Sequence, residues 1–406
     1  MLLVTGVLVG LVVLLSVPVA VLVAECMAAC LSQPPHRLQS HALSDEVPLP
    51  RVAVLMPAHN EASGIEAALS TIWPQLGDRD RLLVVADNCD DNTAAIARHA
   101  GATVIERQDT RHRGKGYALD FGRRWLAADP PDVVVIADAD CQFAAGAIAQ
   151  IAQQAASQQR PVQAIYLMAP PANPSPGSMI SAFAFLLKNQ VRPSGLARLG
   201  LPCLLTGTGM AFPWQLLRHV PLASGNIVED MQLGLDLAIA GSAPRLCPTA
   251  YVTGILPPHS HAAATQRTRW EHGHLHTLLT QVPRLLKAAL KTSPRQGRID
   301  LLAIALDLCI PPLSLLVMLW AGLLAIALYA GLLGAAWTVA LLLGSQGGLM
   351  AIALLFTWAK FGRTTIGVRS LLSIPLYVLG KLPRYLRFIT HRQTEWIRTE
   401  RMKNGG

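Results

Sequence analysis

The chain has few charged side chains and few cysteines for its 406 residues. Asp, Glu, Lys and Arg make up 15% of the residues and hydrophobic residues 52%, which is apolar for a soluble protein. None of the seven cysteines forms a CxxC pair, which argues against a disulfide framework and indicates a reduced cytoplasmic region. The net charge of +9 comes without a Lys/Arg-rich run or zinc-finger spacing, so we expect no nucleic-acid partner.

The first apolar block lacks the basic residues with which a signal peptide begins. Residues 1–24 carry no charge, and no Lys or Arg precedes Glu25. A lipoprotein signal ending at Cys30 would need the same missing charge. The block is long enough to cross a bilayer core of about 30 Å. Residues 1–31 therefore predict a retained transmembrane anchor.

A second apolar block runs from about Leu301 to Trp358 and is interrupted near Gly331 and Gly334. Its length predicts a transmembrane hairpin over residues 299–359. Asp307 and the Pro311-Pro312 pair fall inside the first of these spans. An acid at this depth is expected to face protein or water instead of lipid.

Lys and Arg residues flank both apolar blocks and avoid the hairpin turn. This distribution predicts that the region between the blocks and the C-terminus lie in the cytoplasm. Leu-rich stretches that also carry Lys and Arg predict an interfacial helix over residues 276–298 and an amphipathic tail over residues 360–406. The alternative for both is an ordinary packed helix.

Between the membrane segments, short apolar runs alternate with helical stretches. The runs at 52–56, 82–86, 102–105 and 133–136 predict buried parallel strands, so the expected fold class over residues 48–275 is α/β. Ligands of such sheets bind beyond the carboxyl ends of the strands, where polar clusters occur in this sequence.

Two of these clusters are acidic. Asp138 and Asp140 follow the fourth strand at i and i+2, and can turn their oxygens toward one Mg²⁺ or Mn²⁺ that bridges phosphate oxygens. Solvated acids at a strand end are the simpler alternative. Glu229 and Asp230 stand at a predicted helix start, where they either stabilise the helix terminus or supply a general base.

A basic and aromatic cluster, Gln266-Arg267-Thr268-Arg269-Trp270, precedes the hairpin. Arg269 suits a diphosphate and Trp270 a sugar ring, although both types also anchor membrane edges. His272, His274 and His276 alternate nearby, but no HExxH motif accompanies them, so a zinc site is not favoured.

Six groups of residues follow one another along the chain and precede the membrane spans: Pro57–Glu61, Asp87 and Asp91, Gly114-Lys115-Gly116, Asp138 and Asp140, Glu229-Asp230 and Gln266–Trp270. Their order and spacing resemble glycosyltransferase family 2, and in particular the membrane-integrated enzymes related to cellulose, chitin and hyaluronan synthases and to ceramide glucosyltransferase. The C-terminal tail, Thr394 to Arg401, is similar to the ends of bacterial exopolysaccharide glycosyltransferases.

The resemblance implies a nucleotide-sugar transferase domain of the GT-A type with flanking transmembrane helices. It implies Asp230 as the catalytic base beside Glu229, and Asp138 and Asp140 as ligands of a divalent metal, Mg²⁺ or Mn²⁺. The implied donor-binding residues are Glu61, Asp87, Asp91, Lys115, Asp138, Asp140, Gln266, Arg269 and Trp270.

The implied reaction is inverting transfer from a nucleotide-diphospho-sugar, expected to be UDP-linked, to a lipid-linked saccharide. The expected setting is exopolysaccharide assembly at the bacterial inner membrane, with other assembly proteins as partners. A processive synthase, a transferase to a simple lipid and a degenerate scaffold or transport subunit are the alternatives. One departure leaves the acceptor open: Leu205–Met210 stands where the large synthases carry a Cys-containing motif.

Overall fold

The computed structural model describes residues 2–31, 49–171, 173–223, 228–256, 260–334, 337–383 and 385–386, with side chains from residue 6 in the first helix and from residue 268 in the helix that starts at Ser260. These residues fall into two compact units. The sheet unit is drawn from residues 49–171 and 201–263. The helical unit is drawn from residues 2–31, 173–200 and 264–386.

The sheet unit is built on eight strands in the order β3-β2-β1-β4-β7-β6-β8-β5. Strands β1 to β4 run parallel, and β7 enters antiparallel between β4 and β6. Their bounds are β1 Val52–Ala58, β2 Arg81–Asp87, β3 Thr103–Arg107, β4 Val133–Ile136, β5 Gln142–Phe143, β6 Val162–Ala169, β7 Met210–Pro213 and β8 Arg245–Ile255.

The helices of both units follow one numbering in chain order. They are α1 Leu2–Leu31, α2 Ile65–Ile72, α3 Thr93–His99, α4 Lys115–Leu126, α5 Ala147–Gln158, α6 Pro176–Leu186, α7 Arg192–Arg198, α8 Trp214–Leu217, α9 Glu229–Ile239, α10 Ser260–Lys291, α11 Arg295–Leu308, α12 Leu313–Leu332, α13 Thr338–Thr357, α14 Val368–Leu371 and α15 Ile374–Leu379.

The four strands expected from the sequence are confirmed. Their apolar residues are buried on both faces, as in β1, where Leu55 and Met56 point to opposite sides of the sheet and are both fully buried. On one face, Leu55 joins Leu119 and Leu126 of α4 in a continuous core. The parallel strands end at one edge of the sheet, which carries the polar residues that follow them.

Helix α1 is apolar on all sides, yet it buries a single stripe. The buried apolar residues recur at alternating steps of four and three, as expected for a helix packed along a heptad seam. They are Leu8, Val12, Leu15, Val19, Leu22, Cys26 and Ala29. Large apolar residues between them, such as Val13 and Leu14, are exposed, which suits contact with lipid.

Three helices in the described part of the chain are long and apolar enough to cross a membrane: Gly6–Leu31, Leu313–Leu332 and Thr338–Gly362. The hairpin thus begins at Leu313 and not near Leu301. Helix α11 ends at Leu308, because Pro311 and Pro312 lack the N–H groups that would continue it and clash with the preceding turn.

Asp307 lies at the end of α11 in a buried cluster of three charges. The Arg192 guanidinium donates through Nε to Glu25 Oε2 at 2.9 Å, and through Nη2 to the Asp307 backbone oxygen at 2.7 Å and to its carboxylate. Each of the three residues is at most 6% exposed. The expectation that Asp307 faces protein is confirmed.

The helices that carry this cluster lie very close together. A Cβ built on Gly195 of α7 would lie 2.1 Å from the backbone oxygen of Glu25 in α1. Only a glycine permits this approach. The sequence had assigned residues 173–200 to the α/β domain, whereas these contacts place them in the helical unit.

We predict that Arg192→Met lowers the free energy of unfolding in detergent by about 3–5 kcal/mol, because it leaves two buried carboxylates without their counter-ion. Arg198→Met, at an exposed position of the same helix, is the matched control and should change little. The triple variant Glu25→Gln, Arg192→Met, Asp307→Asn removes all three charges and should recover most of the loss. Equal stability of Arg192→Met and Arg198→Met would show that the cluster contributes nothing.

Candidate functional site

The chain leaves β4 directly into Asp138 and Asp140. The Asp138 backbone N–H donates to Thr208 Oγ1 at 3.0 Å, which fixes the start of this turn against the segment before β7. Ligand atoms of Asp138, Asp140 and Cys141 lie within 4.8 Å of one another. In the described part of the chain, no other cluster of three or more His, Cys, Asp or Glu side chains is as close.

Lys115, the first residue of α4, connects this turn to a second segment. Its Nζ donates to the Asp138 carboxylate and, at 2.6 Å, to the backbone oxygen of Gly207. Gly207 has φ of +93°, a conformation that side chains rarely adopt. A Cβ there would lie 3.2 Å from Asp230 Oδ2 and 3.6 Å from Lys115 Nζ. Gly207 therefore lets the backbone approach both the lysine and the acid.

Glu229 and Asp230 are the first two residues of α9. The residue at the N-cap position is Val228, whose side chain offers no hydrogen bond to the helix. Neither acid is therefore the capping residue, although both stand where the helix dipole favours negative charge. The fold places them beside Lys115, about 115 residues later in the chain than that lysine.

The electrostatics of the cluster reflect crowding of like charges. Burial, and then the charge of Asp230, raises the pKa of Glu229 to about 7, although Lys115 opposes the shift. Burial also raises the pKa of Asp138. The charge of Lys115 lowers this pKa, and the charge of Asp140 raises it further. For Lys115, burial is outweighed by the acids, chiefly Asp138 and Glu229, which raise its pKa.

Asp138, Glu229 and Asp230 thus act on one ammonium group, and Asp140 lies beside Asp138. The excess negative charge and the hard oxygen donors fit a divalent cation such as Mg²⁺ or Mn²⁺, with Asp138 and Asp140 as its carboxylate ligands. The structure brings Lys115, Asp138, Glu229 and Asp230 together, and their roles in donor binding and catalysis stay predictions. Gly207 and Thr208 were noted in the sequence only as part of an acceptor segment, and no local pattern indicates their contacts with the acids.

Asp87, predicted to contact the nucleotide, ends β2 and is buried. Its carboxylate accepts hydrogen bonds from Arg107 Nη1 at 2.6 Å and from Asn88 Nδ2 at 3.0 Å. Arg107 also donates to Asp109 at 3.0 Å and lies over the ring of Tyr117. Asp87 thus holds an arginine at the edge of the sheet. Arg107 was missed because the third strand was expected to end at Ile105.

Asp91 and Glu61 lie in adjacent loops that are connected by hydrogen bonds. Asp91 accepts from the Thr93 backbone N–H at 2.9 Å and from that of Ala62 at 3.1 Å, and the Glu61 N–H donates to Thr93 Oγ1 at 2.8 Å. Although burial opposes it, hydrogen bonds from the Thr93 hydroxyl and from the backbone N–H groups of Thr93 and Ala62 lower the pKa of Asp91. The loops after β1 and β2 therefore form one surface beside the acids.

Gln266, Arg269 and Trp270 belong to α10, whose residues from 264 onward lie in the helical unit. The side chain of Gln266 is outside the described residues. Trp270 packs on Phe185 with ring centroids 5.7 Å apart. Donor binding by these three residues stays a prediction.

The three neighbouring histidines do not gather into a zinc site. His274 is buried and its Nε2 donates to the Ile310 backbone oxygen at 2.9 Å, whereas His276 is exposed. His274 therefore connects α10 to the turn after α11.

Residues 50–273, more than half of the chain, match the family described as "Glycosyltransferase like family 2". The chain belongs to this family. The family resemblance of the sequence motifs is thereby confirmed.

Curated relatives match over a short region only. A probable glycosyltransferase YdaM of Bacillus subtilis is 35% identical over 100 residues, 23% of either chain. A dolichyl-phosphate hexose transferase of Haloferax volcanii is 37% identical over 89 residues, 22% of this chain and 36% of the relative. The matches thus span about a quarter to a third of the relatives' length.

A similar solved structure supports the fold. The mannosyltransferase PcManGT of Pyrobaculum calidifontis, solved with GDP-Man and Mn²⁺, superposes with a TM-score of 0.54 at 18% identity, over 94% of this chain and 100% of the other. At this identity the likeness concerns the fold, and it confirms the expected GT-A type of α/β sheet.

We predict that the purified protein binds Mn²⁺ and that Asp140→Asn weakens this binding at least tenfold, because the cation loses a charged oxygen ligand. Titration calorimetry or the Mn²⁺ electron paramagnetic resonance signal measures it. Asp78→Asn, an exposed acid on the loop before β2, is the control. Unchanged Mn²⁺ affinity in Asp140→Asn, with an unchanged melting temperature, would contradict the assignment of this ligand.

Proposed function

We propose that this chain is an inverting membrane glycosyltransferase. It moves a sugar from a nucleotide-diphospho-sugar, UDP-linked, to a lipid-linked saccharide during assembly of a cell-surface polysaccharide such as an exopolysaccharide. The observation that carries the proposal is the convergence of Asp138, Asp140, Glu229 and Asp230 around Lys115 at the edge of a GT-A sheet.

The donor is bound along this edge. The nucleoside lies on the surface formed by the loops after β1 and β2, with Glu61, Asp87 and Asp91. The diphosphate lies beside Asp138 and Asp140, which hold the divalent cation, and the cation when bound neutralises phosphate charge. Arg269 and Trp270, with Gln266, are assigned to the diphosphate and the acceptor sugar on the family resemblance alone.

Asp230 is the general base. It takes the proton of an acceptor hydroxyl as the oxygen of that hydroxyl attacks the anomeric carbon of the donor sugar. The bond between the anomeric carbon and the diphosphate oxygen breaks, and its electron pair leaves with the nucleoside diphosphate. Lys115, held beside Asp138, provides positive charge for the leaving group. A single displacement of this kind inverts the anomeric centre.

The composition of the helical unit supports the proposal that the acceptor is anchored to a lipid. Its three apolar helices can cross a membrane, and one relative carries the name of a dolichyl-phosphate hexose transferase. The localisation proposed is the bacterial inner membrane, with the sheet unit in the cytoplasm and polysaccharide-assembly proteins as partners. A processive synthase is less favoured, since the three candidate spans among the described residues are few to enclose a channel. The complete set of acids speaks against a degenerate scaffold or transport subunit.

We predict that Asp230→Asn lowers turnover by 10²–10⁴, the usual contribution of a placed base, while donor affinity is retained. An asparagine preserves the shape of the side chain and cannot accept the proton. Nucleotide release from a panel of nucleotide sugars gives turnover, and calorimetry gives donor affinity.

Asp78→Asn again serves as the matched acid-to-amide control. Turnover of Asp230→Asn within a few fold of the unmodified enzyme would place the base elsewhere. Loss of turnover together with donor affinity and thermal stability would indicate damage to the fold, and then Asp230→Glu, which keeps the carboxylate, should restore part of the rate if Asp230 is the base.

The membrane topology gives a further prediction. A reporter inserted at Gly334, between α12 and α13, should lie in the periplasm, and a reporter after Gly406 in the cytoplasm, because Lys and Arg avoid the hairpin turn and flank its ends. Paired alkaline phosphatase and green fluorescent protein fusions report the two sides. Both reporters on one side would exclude the three-span arrangement.

A further inference from the structure

A cavity of about 260 Å³ opens beside the acids, entirely within the sheet unit. Its lining includes the apolar residues Leu119, Met210, Leu222 and Leu233. It also includes Lys115 and the polar residues of α9. The volume lies below the range of about 300–1,000 Å³ that is usual for drug-sized ligands. It suits one sugar ring more closely than a disaccharide.

The cavity adjoins the position proposed for the diphosphate. Lys115, which donates to the Asp138 carboxylate, lines the cavity together with Glu229 and Asp230. Its lining also includes Leu119 of α4 and Met210, the first residue of β7, which is the strand beyond β4. In a nucleotide sugar the diphosphate joins the nucleoside to the sugar. With the diphosphate at Asp138 and Asp140, the donor sugar is therefore the part of the donor that lies next to this cavity.

Two polar residues of the cavity belong to neither the metal cluster nor the base. Gln232 and Asp236 are half-buried and lie one turn apart on α9, on the face that begins at Glu229. Gln232 Nε2 donates to Asp236 Oδ1 at 3.0 Å. This bond orients both groups. A carboxylate can accept about four hydrogen bonds, so Asp236 can also accept from a sugar hydroxyl, and the Gln232 amide oxygen can accept from another.

We propose that Gln232 and Asp236 bind hydroxyl groups of the donor sugar and thereby restrict the donor to an uncharged hexose. The inference rests on the proposed function. Glu229, Asp230 and Asp236 line the cavity, with Lys115 as its basic residue. A carboxylate on the sugar, as in a uronic acid, would meet like charges in a confined space. A neutral ring instead offers hydroxyls to the acids and an apolar face to the leucines and Met210 of the lining.

The experiment compares two ligands that differ by the sugar alone. The probes are UDP and UDP-glucose, or GDP and GDP-mannose if the unmodified protein binds guanine nucleotides, measured by calorimetry on the full chain in detergent with Mn²⁺. Asp236→Ala and Gln232→Ala should weaken the nucleotide sugar at least tenfold and leave the affinity for the nucleotide within twofold. Asp78→Ala, an exposed acid outside the cavity, should change neither.

A second arm tests the charge. The unmodified protein should bind UDP-glucuronic acid at least tenfold more weakly than UDP-glucose, and Asp236→Asn should narrow this ratio. If both variants lost affinity for the nucleotide and for the nucleotide sugar to the same degree, the proposal would be overturned, because neither residue would then contribute specifically to binding of the sugar. Unchanged sugar affinity with a raised acceptor KM would overturn it as well, since the cavity would hold the acceptor. Failure of the unmodified protein to bind any nucleotide sugar would instead refute the proposed function itself.

Discussion

Four carboxylates and one lysine share a partly buried volume at the carboxyl edge of the sheet, and the rest of the site depends on the repulsion within it. Two like charges 4 Å apart interact by about 4 kcal/mol at an effective dielectric constant of about 20. Two features of the structure reflect this repulsion: Lys115 contacts Asp138 directly, and the pKa of Glu229 rises to about 7. Both responses mark a site that gains from a bound cation.

The helical unit also buries carboxylates, and there they are neutralised by an arginine. Arg192 stands between Glu25 and Asp307, both buried, and donates to each. Such a cluster contributes little net stability when complete and costs much when one partner is removed. Each of α1, α7 and α11 contributes one of the three charges, so the cluster connects these three helices.

The features that could be predicted from the sequence are those that depend on neighbouring residues in the chain. The buried strands follow from apolar runs ended by polar residues, and Asp138 with Asp140 follows from its position after such a run. What the sequence could not supply are contacts between distant segments. The antiparallel entry of β7 brings Gly207 and Thr208 to Lys115 and Asp138, and nothing near residues 207–208 in the chain indicates those partners. The Arg107–Asp87 pair depends equally on the adjacency of β3 and β2.

Helix boundaries in the apolar regions show the same limit. Hydropathy alone merged α11 and α12 into one span, although Pro311 and Pro312 in the sequence contain the signal for the break. Residues 173–200 have ordinary composition, and only their contacts assign them to the helical unit. Periodicity identifies the elements of this chain, whereas their grouping depends on side chains such as Arg192 that are polar in sequence and buried in the fold.

Within the proposed function, the charge of the site also bears on the acceptor. A sugar hydroxyl is neutral and must lose its proton as it attacks, so it requires a base such as Asp230. A lipid phosphate is already anionic; it needs no base, and its charge would add to that of the four acids. Both considerations favour a hydroxyl nucleophile. The relative named for dolichyl phosphate matches this chain over 89 residues. This region is too short to assign the acceptor in that relative's name to this chain. The acids therefore favour a lipid-linked saccharide over a bare lipid phosphate.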